Sequence, residues 1–249
     1  MDTITDFFNK AHITVHNKDA QKTPAEFLDC DTPAKTVEYF KWIRHHSQCG
    51  SMKLDVLTDV TEIKDELIKL SSLGIAHRSG NSEGWRSITL YGYSSIMTSS
   101  SDYYINQGLV TADTKLGWTD VAEFAPKTVA WIKQYSPITE YSRIRVMIVD
   151  PGGYIQPHID HTAGQLLAAN IHVAVVHPEG VEFALDNCGI IPWKEGDIRV
   201  VDIGRAHSVR NLSDQIRIHL IISPKEYEWE MAAMQTACSS YTKFQQDIL

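Results

Sequence analysis

The second half of the sequence is a series of short apolar runs separated by turn residues. The runs are RIRVMIV (143–149), IHVAVV (171–176), VEFAL (181–185), DIRVVDI (197–203) and QIRIHLII (215–222). The tripeptides PGG at 151–153 and PEG at 178–180, and KEGD at 194–197, interrupt them as turns. Several short strands with regular turns predict a β-sandwich or barrel, and we expect its jelly-roll form.

The segments that flank these runs have helical patterns. Helices are expected at 24–48, 59–72, 119–135 and 225–244, with one strand at 86–93 after a turn-rich loop at 76–84. The sequence contains no internal repeat, low-complexity tract or linker-like segment. We therefore expect a single domain over 1–249, with a mainly helical N-terminal cover (1–84), a jelly-roll core (85–223) and a C-terminal helix (224–249).

A histidine and an aspartate two residues apart follow the first of these runs. The two-residue repeat of a strand puts His158 and Asp160 on one face, and His207 follows the run DIRVVDI. Two imidazoles and one carboxylate are the ligand set of non-haem Fe(II) oxygenases. Arg217 lies on the next apolar strand, where its guanidinium needs a partner and is suited to a carboxylate. These four residues predict an iron site beside a carboxylate site.

Two other interpretations of this set stay open from the sequence. Zinc hydrolases also use two histidines and a carboxylate, although the chain lacks their common HExxH helix and Arg217 would have no task. Alternatively the residues are structural: a core histidine, a solvated aspartate and an ion-paired arginine. His161 falls on the opposite strand face from Asp160 and is not expected to be a ligand.

The composition excludes several classes of partner. The net charge is −8 and no run of lysine or arginine is present, so we expect no nucleic-acid partner. No window of about 18 apolar residues could span a membrane, and the first residues lack a signal-peptide pattern. The scattered Cys30, Cys49, Cys188 and Cys238 form no CxxC pair and are typical of reduced thiols, so we expect a cytoplasmic protein.

Four motifs resemble those of one enzyme family. PGGYIQPHID, NIHVAVV, the W…GD…HSVRN run and IRIHLII are similar to the aspartyl/asparaginyl β-hydroxylase family of Fe(II)/2-oxoglutarate-dependent oxygenases, over about residues 85–223. The resemblance implies a cupin-like double-stranded β-helix that uses 2-oxoglutarate and O₂ to hydroxylate an amino-acid-like substrate, releasing succinate and CO₂. That substrate is a free amino acid or an Asp, Asn or Pro-type residue. On this resemblance His158, Asp160 and His207 are the catalytic iron ligands, and Arg217 binds the distal carboxylate of 2-oxoglutarate.

Two positions bear on how closely the chain follows this family. Some protein-modifying members lack the carboxylate ligand, whereas Asp160 is present here, as in members that act on free amino acids. The family often has an Arg-x-His pair that contacts the cosubstrate, and the corresponding pair here is Asn170-x-His172. The resemblance therefore implies a 2-oxoglutarate site with Asn170 and His172 and an altered second anchor. The alternative for His172 is a hydrogen-bonded core histidine.

Candidate substrate contacts lie near the start of the core and next to the ligands. They are Trp85, Arg86, Tyr91, Arg145 and Ser208. Arg86 is suited to a substrate carboxylate, whereas the aromatic residues are equally suited to core packing. Together with Asp160, this group predicts a small substrate that carries a carboxylate, with a peptide as the alternative.

Three functional hypotheses follow. The first is an Fe(II)/2-oxoglutarate dioxygenase that hydroxylates a small molecule or peptide. The second is another oxidation at the same iron, such as desaturation or halogenation; Asp160 disfavours halogenation, because the halide needs the position of the carboxylate. The third is a non-catalytic, metal-binding cupin-like sensor or binding module, which would have no need of Arg217. The oligomeric state does not follow from the sequence.

Overall fold

Two facing β-sheets form the centre of the molecule. The computed structural model describes residues 3–77, 82–160, 170–225 and 228–244. The strands within these residues are Ser51–Lys53 (β1), Ile75–Ala76 (β2), Glu83–Gly92 (β3), Gly117–Trp118 (β4), Tyr141–His158 (β5), Ile171–Val176 (β6), Val181–Leu185 (β7), Gly189–Ile190 (β8), Ile198–Val201 (β9), His207–Asn211 (β10) and Arg217–Pro224 (β11). The helices are Ile4–His12 (α1), Pro33–His45 (α2), Thr61–Ser71 (α3), Ser101–Asn106 (α4), Pro126–Tyr135 (α5) and Met231–Phe244 (α6).

Strand β5 belongs to both sheets. Its first half pairs with β11 and β3, and its second half pairs with β10, all antiparallel. The first sheet therefore has the order β1-β9-β6-β11-β5-β3, and the second has the order β5-β10-β7-β8. The chain crosses repeatedly between these sheets as it passes from β5 to β11. This pairing is a double-stranded β-helix, so the predicted jelly roll is confirmed.

The crossing inside β5 differs from the sequence prediction. The turn at 151–153 was expected to end the strand, but β5 is continuous from Tyr141 to His158. Gly152 has a positive φ of 71°, and a Cβ on Gly153 would lie 2.9 Å from the backbone oxygens of Asp150 and Glu83. Glycine permits this sharp bend, and both halves of the strand keep their ladder partners.

The helices cover the outer face of the first sheet. On β11, Ile218, Leu220 and Ile222 join one buried cluster with α2 and α3 residues such as Phe40 and Leu67. Side chains alternate across a strand, so the residues between them face the other sheet. Arg217, His219 and Ile221 therefore point into the space between the sheets. The apolar core and the polar interior lie on opposite faces of the same strand.

Prolines shorten several of the predicted helices. The expected helix at 24–48 is a 3-10 turn at Ala25–Phe27 followed by α2, which begins at Pro33 after the capping Thr32. The segment 119–135 is divided at Ala125, before Pro126. The prediction for 59–72 is close to α3, and α6 begins later than expected. Within the described residues, none of the helices has the length and apolar character needed to cross a bilayer.

Candidate metal centre

The pairing of β5 with β10 brings the predicted ligands together. His207 lies directly opposite His158 in the register of the two strands. The Nε2 atom of His158 is 3.6 Å from Asp160 Oδ1, and the Nε2 atom of His207 is 4.0 Å from Asp160 Oδ2. The potential ligand atoms of the three residues all lie within 4.8 Å of one another. Residues far apart in sequence thus form one compact group.

Backbone hydrogen bonds fix the tautomer of both imidazoles. His158 Nδ1 lies 2.8 Å from the carbonyl oxygen of Gln156, and His207 Nδ1 lies 3.0 Å from that of Arg205. A carbonyl only accepts, so each Nδ1 carries the proton and each neutral ring keeps a lone pair on Nε2. These Nε2 atoms face Asp160. Such hydrogen bonds are the usual way in which proteins orient histidine ligands.

The donor set fits an iron(II) ion. Two imidazole nitrogens and one carboxylate are provided from a single side, which leaves other coordination positions for exogenous ligands. The side chains of His158 and Asp160 are about a quarter exposed, so the group is reachable from solvent. The amide of Asp160 donates to the carbonyl of Ile203 and holds the ligand-bearing backbone against the second sheet.

Arg217 is buried in the pocket that adjoins this group. Its side chain is 2% exposed, and its Nη2 donates to His219 Nδ1 at 2.8 Å. Its Nε has no hydrogen-bond partner, and no carboxylate of the described residues forms an ion pair with it. Burial lowers the pKa of Arg217 to about 9, so it remains cationic at neutral pH. The pocket therefore holds a positive charge that a bound anion would compensate.

His172 and Asn170 also line this pocket. His172 is 5% exposed, and neither of its ring nitrogens has a hydrogen-bond partner. This disagrees with the alternative of a hydrogen-bonded core histidine. Burial, and secondly the charge of Arg217, lower the pKa of His172 to about 3. The Oδ1 atom of Asn170 accepts a hydrogen bond from the Ser223 hydroxyl. An unpartnered neutral imidazole is thus available to a ligand.

Two of the predicted substrate residues lie at this pocket. Trp85 lines it, with its ring centroid 5.9 Å from that of His158 and 4.5 Å from that of His77. Arg145 is 6% exposed and donates through Nη1 to the backbone oxygen of Thr98 at 3.0 Å. It is the second guanidinium of the pocket lining, whereas Asp160 is the one carboxylate among the described lining residues.

The other three predicted substrate residues lie elsewhere. Arg86 alternates with Trp85 along β3, so it faces the helices and forms a two-point ion pair with Asp150, with a shortest distance of 2.6 Å. Tyr91 packs its ring against Trp118 and Tyr141. Ser208 is fully buried and donates to the carbonyl of Ile155. None of the three is among the described residues of the pocket lining.

Several residues of the site were missed from the sequence. His77, Met147 and Phe183 line the pocket, and His219 contacts Arg217. A sequence signal existed for His219, because it follows Arg217 by two residues on an alternating strand and must share its face. No comparable signal marks His77, which precedes β3 and reaches the pocket through tertiary contacts. His161 lies outside the described residues.

Comparison with known proteins identifies a family match. The family described as aspartyl/asparaginyl beta-hydroxylase matches residues 57–226, more than half of the chain. No curated protein sequence matches significantly.

Solved structures that resemble the chain include three oxygenases. A viral collagen prolyl hydroxylase from Paramecium bursaria Chlorella virus-1 is 14% identical, with 70% of this chain and 94% of the other covered and a TM-score of 0.36. A prolyl-4-hydroxylase from Pseudomonas putida is 10% identical, with 76% and 98% covered and a TM-score of 0.41. A 2OG-Fe(II) oxygenase family oxidoreductase from Burkholderia pseudomallei is 11% identical, with 78% and 91% covered and a TM-score of 0.42. These scores are low, so the fold assignment rests on the strand pairing.

Proposed function

We propose that this chain, which belongs to the aspartyl/asparaginyl β-hydroxylase family, is an Fe(II)- and 2-oxoglutarate-dependent dioxygenase that hydroxylates a small amino-acid-like substrate bearing a carboxylate. One observation carries the proposal: the two Nε2 atoms and the carboxylate of His158, His207 and Asp160 converge beside the buried, carboxylate-free cation Arg217. The balanced reaction converts substrate, 2-oxoglutarate and O₂ into hydroxylated substrate, succinate and CO₂.

The protein's part in this reaction is binding and orientation. Iron, when bound, supplies the activation of O₂ and the oxidation of an unreactive C–H bond. His158, His207 and Asp160 would hold the ion from one side, with the imidazole tautomers already set by the carbonyls of Gln156 and Arg205. The open side faces the pocket. Ligand geometry is therefore largely preorganised in the protein alone.

Arg217 would hold the distal carboxylate of 2-oxoglutarate. A guanidinium offers a planar fork that matches a carboxylate, and burial strengthens the attraction. His172, with both ring nitrogens unpartnered, supports a hydrogen bond to the same cosubstrate. Asn170 lies one strand position away on the same face, where the family often has an arginine. These residues favour a dicarboxylate in this part of the pocket.

Arg145 would hold the carboxylate of the substrate. It is on the first sheet in register with Ile221 of β11, and Ile221 is in register with His172 of β6. Arg217 is four residues from Ile221 on β11, so the two guanidiniums are separated by roughly 13 Å along the sheet. That separation leaves Arg145 for a second anion when Arg217 holds the first. A substrate carboxylate fits this position, with Trp85 as an apolar wall near His158.

Succinate production is the direct test of the proposed reaction. Purified protein loaded with Fe(II) is supplied with 2-oxoglutarate, O₂ and a panel of free amino acids and peptides. We expect a carboxylate-bearing small molecule to stimulate succinate formation and to gain one oxygen atom. A protein or peptide that proves the better substrate replaces the small-molecule proposal with the peptide alternative. Absence of 2-oxoglutarate turnover with every substrate and metal refutes the dioxygenase proposal.

A matched pair of arginines tests the substrate anchor. Arg143 and Arg145 lie on the same face of β5, and both donate to the backbone oxygen of Thr98, but Arg143 does not line the pocket. Arg145→Met should raise the substrate KM by about 30-fold or more, because a charge pair in a desolvated site contributes about 2 kcal/mol or more. Arg143→Met should leave KM nearly unchanged. Equal effects in the two variants would show that Arg145 has no special role.

A further inference from the structure

Two histidines extend from Arg217 towards the surface. Arg217 Nη2 is 2.8 Å from Nδ1 of the fully buried His219. The Nε2 atom of His219 is 2.9 Å from Nδ1 of the partly buried His177. The ring of Trp193 packs edge-on against His219, with 4.6 Å between centroids. The guanidinium thus ends a continuous hydrogen-bonded chain of three side chains.

The chemistry of these groups gives the chain one direction. A guanidinium has only donors, so His219 Nδ1 must accept from Arg217. The neutral ring of His219 then carries its proton on Nε2, which donates to His177 Nδ1. His177 in turn carries its proton on Nε2. Every nitrogen between Arg217 and His177 has a fixed role, which restricts the rotation of the guanidinium.

Both histidines are neutral partners. Burial, and secondly the charge of Arg217, lower the pKa of His177 to about 3 and that of His219 well below its usual value. Arg199 provides a contrast within the same fold, because it is also buried but donates to the carboxylate of Asp197 at 3.1 Å. A carboxylate neutralises its arginine, whereas an imidazole orients the guanidinium without removing its charge.

We propose that His219, itself oriented by His177, is a positioning residue that fixes the guanidinium of Arg217 for a dicarboxylate while leaving its positive charge uncompensated. The inference rests on the proposed function for the identity of the dicarboxylate. The hydrogen bond to Nη2 leaves the Nε–H of Arg217 without a protein partner and available to the ligand. An acidic residue in place of His219 would hold the guanidinium equally well but would compete with the ligand for its charge.

Three substitutions at one position separate orientation from charge. His219→Asn keeps an acceptor near the position of Nδ1, His219→Leu removes it, and His219→Asp replaces it with a carboxylate. Calorimetry measures 2-oxoglutarate affinity in protein loaded with redox-inactive Mn(II), and thermal unfolding is measured without ligand. His16→Asn is the control, because His16 is also buried with a pKa lowered to about 4 but lies far from this pocket.

The affinity order is the expected result. His219→Asn and His16→Asn should bind 2-oxoglutarate within about threefold of the wild type, and His219→Leu about tenfold more weakly, as expected for one charge-assisted hydrogen bond. His219→Asp should bind about 100-fold more weakly or worse, because a buried ion pair already occupies the arginine. Unchanged affinity in the Asp and Leu variants, or losses that follow only the unfolding temperatures, would overturn the proposal.

Nitrogen NMR of the ligand-free wild type gives a second readout. We expect His219 in its Nε2-protonated neutral form, and the Nδ1-protonated form would overturn the proposed chain. A wild type that binds no 2-oxoglutarate refutes the proposed function. A wild type that binds it, with variants that bind equally well, refutes only the role of His219.

Discussion

Replacing Arg217 with methionine should make the ligand-free protein more stable. The guanidinium is 2% exposed and has no carboxylate partner among the described residues, and burial lowers its pKa from 12.5 to about 9. At about 1.4 kcal/mol per pKa unit, keeping this charge in the fold costs on the order of 5 kcal/mol. Methionine has a similar length and is apolar, so most of this cost disappears in the variant.

Part of the gain is offset by the loss of one hydrogen bond. His219 Nδ1 would lose its donor, and an unsatisfied buried acceptor costs about 1–3 kcal/mol. The net expectation is a gain of about 2 kcal/mol in the free energy of unfolding, or an increase of roughly 4–8 °C in Tm for a chain of this size. At the same time 2-oxoglutarate affinity should fall by about 2–5 kcal/mol, since the desolvated charge pair is lost.

Thermal and urea unfolding of the metal-free protein measure the first effect, and calorimetry with Mn(II)-loaded protein measures the second. Arg86→Met is the matched control. Arg86 forms a two-point ion pair with Asp150, which raises its pKa, so its removal should lower stability. If Arg217→Met proves less stable than the wild type by more than about 1 kcal/mol, a charge that the protein itself compensates must replace the present account.

Two further predictions concern the metal and pH. His207→Ala should hold less than about a tenth of the wild-type Fe(II) at equal free metal, because it removes one of three ligands; His45→Ala, on the exposed face of α2, should bind the full amount, and full occupancy in His207→Ala would contradict the assignment. The metal-free protein should lose stability on acidification. The pKa of His172 is lowered to about 3, so the unfolded chain takes up a proton below its usual value near 6.5 while the folded chain does not. This residue alone should remove about 2 kcal/mol between pH 7 and pH 5, and His172→Asn should flatten the urea-measured profile by that amount.

Local periodicity was enough to predict the architecture and the central group. The runs at 171–176 and 181–185 coincide with β6 and β7, because each is an apolar segment bounded by turn residues. His158 and Asp160 share a face for the same reason that any residues i and i+2 do. The partner strand of His207 was not predictable in detail, since its register against β5 is set by the whole sheet.

Residues that were predicted together but lie apart show where sequence reasoning ends. Trp85 and Arg86 were both expected near the substrate, yet adjacent residues of a strand point to opposite faces. Applying that rule would have separated them, as it would have separated His207 from Ser208. The partner of Arg86 was not predictable, because Asp150 is brought to it only by the pairing of β3 with β5.

The polar interior and the apolar outer face are linked through the same strands. Ile218, Leu220 and Ile222 of β11 bury apolar surface against the helices, and this contribution offsets the unfavourable burial of Arg217 and His219 on the other face. An interior selected for stability alone would replace the polar pair with apolar residues. The chain instead keeps a cation oriented by a neutral imidazole, and a group of this kind recovers its cost only when an anion binds. The position of the cost, beside His158 and His207, is therefore the physical reason to expect an anionic ligand next to the metal.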